Sequence, residues 1–147
     1  MKLYLAPLEG ITNHIYRKAL YECYGGFDKY FIPFIRAKQN LNFSGREKKD
    51  IDPENNQGMY AVPQILTRNA EDFLRTASQL AGLGYREINL NLGCPSKTVV
   101  TKGCGAGFLE RPDELERFLD YIFANTDLKI SIKTRLGMDD AEEFEDL

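Results

Sequence analysis

The stretch from Glu87 to Leu109, EINLNLGCPSKTVVTKGCGAGFL, decides how the rest of the chain reads. It opens as a short apolar strand over residues 87–91 and breaks at Gly93-Cys94-Pro95. Side chains alternate along a strand, so Asn89 and Asn91 point one way and Ile88, Leu90 and Leu92 the other. Two amides on one side of a buried strand need hydrogen-bond partners. Gly93 lets the chain turn closely, Pro95 fixes the exit, and Cys94 is held between them at the strand's C-terminal end. The second half, Lys102 to Gly107, is a glycine-rich loop suited to close backbone approach. Its spacing is not GxGxxG, and no Walker pattern occurs.

Outward from that stretch, strands and helices alternate. Lys2–Leu5 reads as a first strand, ending at Ala6-Pro7. Thr12 or Asn13 caps a helix through about Tyr24, with Ile15, Ala19, Leu20 and Cys23 on one face. Gly25-Gly26 stops it. Lys29–Ile35 is a second strand, constrained near its end by Pro33. Residues 36–58 turn polar, with Asn40, Asn42 and Asp52-Pro53, and read as a long excursion between strands. Met59–Leu66 forms a third strand. Asn69 caps a helix through about Leu83, with Phe73, Ala77, Leu80 and Ala81 on its apolar face. Pro112 opens a further helix that spaces Leu115, Phe118, Leu119 and Ile122. Leu128–Thr134 is a fifth strand, and Asp139 to Leu147 the start of a fifth helix. Alternation of this kind argues an α/β architecture with a parallel sheet.

The chain has 147 residues, enough for one ordinary core. Its 43% hydrophobic and 28% charged content are those of a soluble globular protein. No apolar run approaches the roughly 20 residues that span a bilayer, and the N-terminal apolar region is too short for a signal peptide. A cytoplasmic location and no membrane partner are expected. The net charge of −3 and pI near 5.3 argue against gripping nucleic acid by bulk charge. A local basic surface is still available, because Arg36, Lys38, Arg46, Lys48 and Lys49 fall in one connecting segment. Cys23, Cys94 and Cys104 lack CxxC spacing, so neither a disulfide framework nor a cysteine-based zinc site is expected. Cys23 reads as a small buried hydrophobe. His14, at a helix start, has no sequence neighbour that makes it a base.

The pattern Asn89-x-Asn91-x-Gly93-Cys94-Pro95, followed by Lys102-Gly103-x-Gly105-Ala106, resembles the tRNA-dihydrouridine synthases, flavoenzymes that reduce uridine in tRNA. Ala6-Pro7-Leu8-Glu9-Gly10-Ile11-Thr12, Pro63-Gln64-Ile65 and Lys133-Thr134-Arg135-Leu136-Gly137 match the same family in its order and rough spacing. The resemblance implies a (β/α)₈ barrel of TIM type, with functional residues at the C-terminal ends of strands. A full barrel takes about 250 residues. Residues 1–147 therefore read as its N-terminal portion, truncated after about five β/α units. The remaining strands and the family's helical tRNA-binding domain would be absent.

The resemblance also implies the chemistry. FMN passes hydride to the pyrimidine, NADPH or NADH recharges it, and tRNA is the partner. Cys94 becomes the proton donor to C5, and a thiol with a reference pKa of about 8.5 is mostly protonated at neutral pH, which suits an acid. Asn91 becomes the substrate ligand, since an amide both donates and accepts. Lys133 falls to the flavin N1–C2=O edge, Gln64 to the ring's polar edge, and Pro7, Leu8 and Glu9 to its backbone lining. Arg135 is a candidate supporting or phosphate ligand, Lys102 is placed towards RNA, and Asn89 reads as structural. The rivals are another flavin barrel, such as a dihydroorotate dehydrogenase, and a non-catalytic barrel fragment. The former resembles Asn-x-Ser-Cys-Pro-Asn here, whereas Gly93 precedes Cys94 and Ser96 follows Pro95. An incomplete barrel leaves open strand edges, so self-association is expected. By itself the chain is expected not to reduce tRNA, because the loops that hold flavin phosphate lie beyond its fifth strand.

Overall fold

A computed structural model describes residues 1–37, 42–138 and 140–146. Lys38 and Asn40, and Asp139 and Leu147 at the bounds of the expected last helix, lie outside the described residues. Five strands form a single parallel sheet in chain order: β1 (Tyr4–Leu5), β2 (Lys29–Arg36), β3 (Ala61–Leu66), β4 (Glu87–Leu92) and β5 (Lys129–Thr134). Between them run α1 (His14–Cys23), α2 (Gly45–Ile51), α3 (Ala70–Gly82), the single turn α4 (Lys97–Val100) and α5 (Pro112–Ala124). The sheet curls into a half-barrel, the α/β architecture of a TIM-type barrel carried through five strands.

The outer face of the sheet is held by hydrophobic burial. Ile32, Ile65, Ile88 and Leu90 pack in one cluster with Phe73, Ala77 and Leu80 of α3 and Leu115, Phe118 and Ile122 of α5. Those helical residues recur at three- and four-residue spacing, which keeps them on one stripe. Phe118 meets the edges of Phe73 and Phe108 with centroids 5.9 and 5.4 Å apart. Full burial of each such side chain contributes about 1.5–3 kcal/mol, and Phe118→Ala would cost about 3–5 kcal/mol. Asn69 caps α3 by accepting from the Asp72 N–H at 2.8 Å, and Asn13 caps α1 through Tyr16 at 3.0 Å.

Pro33 bends the second strand. β2 pairs Ile32 with Pro63 and Ile35 with Ile65, so Pro33 and Phe34 together stand opposite Gln64. Proline offers no N–H to a ladder, and a bulge accommodates that.

Several expectations need correction. The Ile15–Ala19–Cys23 face of α1 is exposed, and Cys23 is not a buried hydrophobe. The helix instead buries Arg17, whose Nη1 donates to the Thr12 carbonyl at 2.8 Å. Its Nη2 donates to the Asp50 carbonyl at 2.7 Å and to Asn56 Oδ1 at 2.9 Å. Packing thus follows the one side chain able to satisfy a buried polar junction, rather than the sparse apolar stripe. The 36–58 excursion holds α2 and a 3₁₀ turn over Pro53–Asn56. The signal for α2 lies in the sequence: Ser44 and Glu47 form a reciprocal capping box. After β5, Ala141–Asp146 forms a 3₁₀ turn and not the start of an α-helix.

Candidate active site

The inner face of the half-barrel carries polar side chains in register. β4 pairs with β3 at Asn89↔Gln64, and with β5 at Glu87↔Lys129, Asn89↔Ser131 and Asn91↔Lys133. Alternation places all of these on the side opposite the Ile88–Leu90–Leu92 core face.

Hydrogen bonds run through this row in one direction. The N–H groups of Gly93 and Cys94 donate to Asn91 Oδ1 at 3.1 and 3.0 Å. Asn91 Nδ2 donates to Gln64 Oε1 at 2.8 Å, and Gln64 Nε2 to Asn89 Oδ1 at 2.6 Å. Asn89 Nδ2 donates to Ser131 Oγ at 3.0 Å, and the Ser131 hydroxyl donates to Glu87. Reversing any one amide would set like atoms against each other, so the network fixes all three orientations. Gln64 and Asn89 are 0% and 1% exposed, which makes a missing partner costly.

Glu87 terminates the row. Its carboxylate accepts from Lys29 Nζ at 2.7 and 2.8 Å and from the Tyr60 hydroxyl at 2.9 Å, with Lys129 Nζ at 3.1 Å. Burial pushes its pKa up. The hydrogen bonds from Lys29, Tyr60, Lys129 and Ser131 outweigh that and hold it at about 2, below the ordinary 4.5. Neither Glu87 nor Ser131 was singled out from sequence. The signal was there, in the alternations Glu87-x-Asn89-x-Asn91 and Lys129-x-Ser131-x-Lys133 read with a period of two.

At the other end of the row the chain turns through Cys94, which is half-buried. Its N–H is held by Asn91, and its carbonyl accepts from the Ala106 N–H at 3.1 Å. Two glycines make room for this. A Cβ on Gly93 would lie 3.3 Å from Lys133 Nζ, so that ammonium sits directly against the turn. Gly105 has φ +57°, and a Cβ there would lie 2.8 Å from both the Cys94 carbonyl oxygen and Val99 Cγ1. Lys133 makes no ion pair among the described residues.

The fold therefore brings Gln64, Asn91, Cys94 and Lys133 together. Pro7, Leu8 and Glu9 follow β1, two strands from Gln64. The Leu8 N–H donates to Thr12 Oγ1 at 2.8 Å, and its carbonyl accepts from Ile11 and Thr12 at 3.1 and 3.0 Å. Glu9 lines a separate hollow of about 150 Å³ with Pro33, Phe34, Arg46 and Asp50. His14, without a partner in sequence, lies 3.3 Å from Asp50 Oδ1.

The description "Dihydrouridine synthase (Dus)" belongs to the family model that matches residues 4–146. The chain belongs to the dihydrouridine synthase family. It is 32% identical over 145 residues to a probable tRNA-dihydrouridine synthase of Staphylococcus aureus (strain COL), covering 97% of this chain and 43% of that protein. It is 34% identical over 148 residues to the tRNA-dihydrouridine(16) synthase of Cupriavidus necator, covering 95% of this chain and 45% of that protein. The Ralstonia nicotianae protein of the same name matches at 33% over 147 residues, covering 95% and 44%. The chain thus spans less than half the length of the curated relatives it matches. No helix among the described residues is long and apolar enough to cross a membrane.

Proposed function

We propose that this chain carries the base-facing half of a cytoplasmic tRNA-dihydrouridine synthase, which uses FMN and NADPH or NADH to reduce the C5–C6 double bond of uridine. The observation that carries this reading is the meeting of Cys94, Asn91 and Lys133 at the C-terminal ends of β4 and β5, in a chain of this family. When bound, FMN would supply the hydride to C6.

The residues present fit such a group: an unpaired ammonium, a fixed amide row and a glycine turn open to close approach. Lys133 would hold the N1–C2=O edge of the ring, where a cation favours the reduced anionic form. Gln64 keeps one N–H and one lone pair after bonding Asn89 and Asn91, but at 0% exposure its part beside the ring's polar edge would be to hold Asn91 in place. Asn91 Oδ1 already accepts two backbone N–H groups, which leaves Asn91 one N–H to donate. That N–H suits a uracil carbonyl. Cys94 would deliver the proton to C5 from a turn pinned on both sides. At the first strand the Leu8 backbone is taken up by Thr12, so Pro7 and Glu9 would supply the backbone lining.

The test joins this chain to the remaining part of the Cupriavidus necator relative and expresses the chimaera in cells lacking their own dihydrouridine synthases. Dihydrouridine in the tRNA, lost with Cys94→Ala, is expected. A flavin-bound chimaera that leaves tRNA unmodified would overturn the reading.

A further inference from the structure

Arg68, Lys102 and Arg111 gather around Gly103 beside the Cys94 turn, and Arg36 ends the neighbouring strand in register with Leu66. Arg36 ends β2, Arg68 follows β3, Lys102 lies in the loop after α4, and Arg111 precedes α5. A Cβ on Gly103 would lie 3.4 Å from Arg68 Cδ and 3.7 Å from Arg111 Cζ. The Cys104 thiol donates to the Lys102 carbonyl at 3.7 Å, and burial pushes its pKa up against the charges of Arg68, Arg36 and Lys102 and the Arg68 backbone N–H. Glu114 is the carboxylate that pairs with this group, at 3.9 Å from Arg68 and 3.4 Å from Arg111. Glu71 and Glu114, which line one hollow with Arg68 and Arg117, leave the cations in excess at this rim among the described residues, on a chain whose net charge is −3. Arg68 and Arg111 have side chains 49% and 45% exposed.

The rim and the turn are one structure. Lys102, Gly103 and Cys104 lead straight into Gly105 and Ala106, which seat against the Cys94 carbonyl. The basic segment expected from sequence divides instead: Arg36 ends β2, Arg46, Lys48 and Lys49 ride on α2, and Lys38 lies outside the described residues.

We propose that Arg36, Arg68, Lys102 and Arg111 grip the sugar–phosphate backbone of RNA on either side of the nucleotide presented to Cys94. This rests on the reading of the chain as part of a tRNA-modifying enzyme. A base drawn out of a fold carries its own phosphates to the mouth of the pocket, so cations are needed there rather than spread over the surface. Guanidinium groups bind phosphate with paired hydrogen bonds, as they do carboxylate, so the choice of RNA over an acidic peptide rests on the reading of the site beside them. An acidic chain gains little from bulk attraction, so contacts of this kind would supply much of the binding.

The test measures binding of an unmodified tRNA transcript to the purified 147-residue chain. Wild type is compared with Arg68→Gln/Lys102→Gln/Arg111→Gln, and with Lys48→Gln/Lys49→Gln as control. Losing three phosphate contacts should remove about two to three units of slope from log K against log salt. Between about 50 and 200 mM salt, wild type should then lose roughly 10- to 50-fold more affinity than the triple variant. The α2 control should bind as wild type does, and Arg68→Gln alone should take away about one unit of slope. An unchanged slope in a triple variant that melts like wild type would overturn the proposal. So would polyglutamate displacing the transcript as well as unlabelled RNA does, or absence of binding by wild type at low salt. The chimaera with the Cupriavidus necator relative, read in parallel, separates the two claims. Rim-dependent RNA binding by the chain, beside a flavin-bound chimaera that leaves tRNA unmodified, would leave the rim standing and sink the enzymatic reading.

Discussion

Asn91 donates to Gln64 Oε1 at 2.8 Å across neighbouring strands, while its own Oδ1 accepts the Cys94 N–H at 3.0 Å. One side chain thus ties the turn that carries the thiol to an amide 27 residues earlier. Removing it with Asn91→Ala strands the Gly93 and Cys94 N–H groups and Gln64 Oε1. The expected loss is about 2–4 kcal/mol, read from urea unfolding. Asn91→Asp keeps the acceptor but turns an oxygen towards Gln64 Oε1, so it should not restore wild-type stability.

Gly105→Ala should cost more than Gly84→Ala. Both have positive φ, at +57° and +97°, but only Gly105 would also drive a Cβ to 2.8 Å from the Cys94 carbonyl oxygen. Strain alone is worth about 1–2 kcal/mol, and the clash adds to it. Equal melting temperatures for the two variants would contradict the packing of that loop.

Stability should fall in acid with a contribution from Glu87. Its folded pKa, about 2, lies below the ordinary 4.5, so the unfolded chain takes up the proton first. The stabilisation is present above pH 4.5 and is lost as pH falls from there towards 2. Glu87→Gln should flatten the unfolding free energy across that window. A parallel drop in variant and wild type would show that the Lys29–Glu87–Lys129 cluster does not titrate with folding.

In the chimaera with the Cupriavidus relative, Cys94→Ala should still bind flavin and oxidise its nicotinamide reductant. Dihydrouridine formation should fall by about 10²–10⁴-fold, the usual worth of a positioned acid. Near-normal product would remove the proton-donor role.

The sheet's edge strands are β1, with two residues, and β5, with six. β5 leaves Ile132 40% exposed and offers unpaired backbone groups along its outer side. The chain made by itself is expected to self-associate. A concentration-independent monomer in sedimentation would contradict this.

Much of the fold was legible because its signals are local. Asn69 and Pro112 mark helix starts, and Phe73–Ala77–Leu80 and Leu115–Phe118–Ile122 carry the helical period. The Asn89/Asn91 alternation correctly separated the two faces of β4. The turn at Cys94 was legible too, since Gly93 and Pro95 bracket it. What escaped depends on partners distant in sequence. Arg17 is buried because Asp50 and Asn56 wait for it 33 and 39 residues away. Glu87 looks like an ordinary strand-start carboxylate until Lys29, 58 residues earlier, closes on it. Cys23 failed as a core prediction because composition cannot say which flank of a short helix finds a neighbour.

The head-to-tail row from Cys94 to Glu87 has a consequence for isotope exchange. Gln64 and Asn89 are 0% and 1% exposed and each gives one side-chain amide proton to a neighbour, so deuterium reaches those protons only when β3, β4 and β5 separate. Those NH₂ groups are built-in clocks for opening of the half-barrel. They should exchange with the slowest backbone amides of β4, not with the surface side chains that share their chemistry.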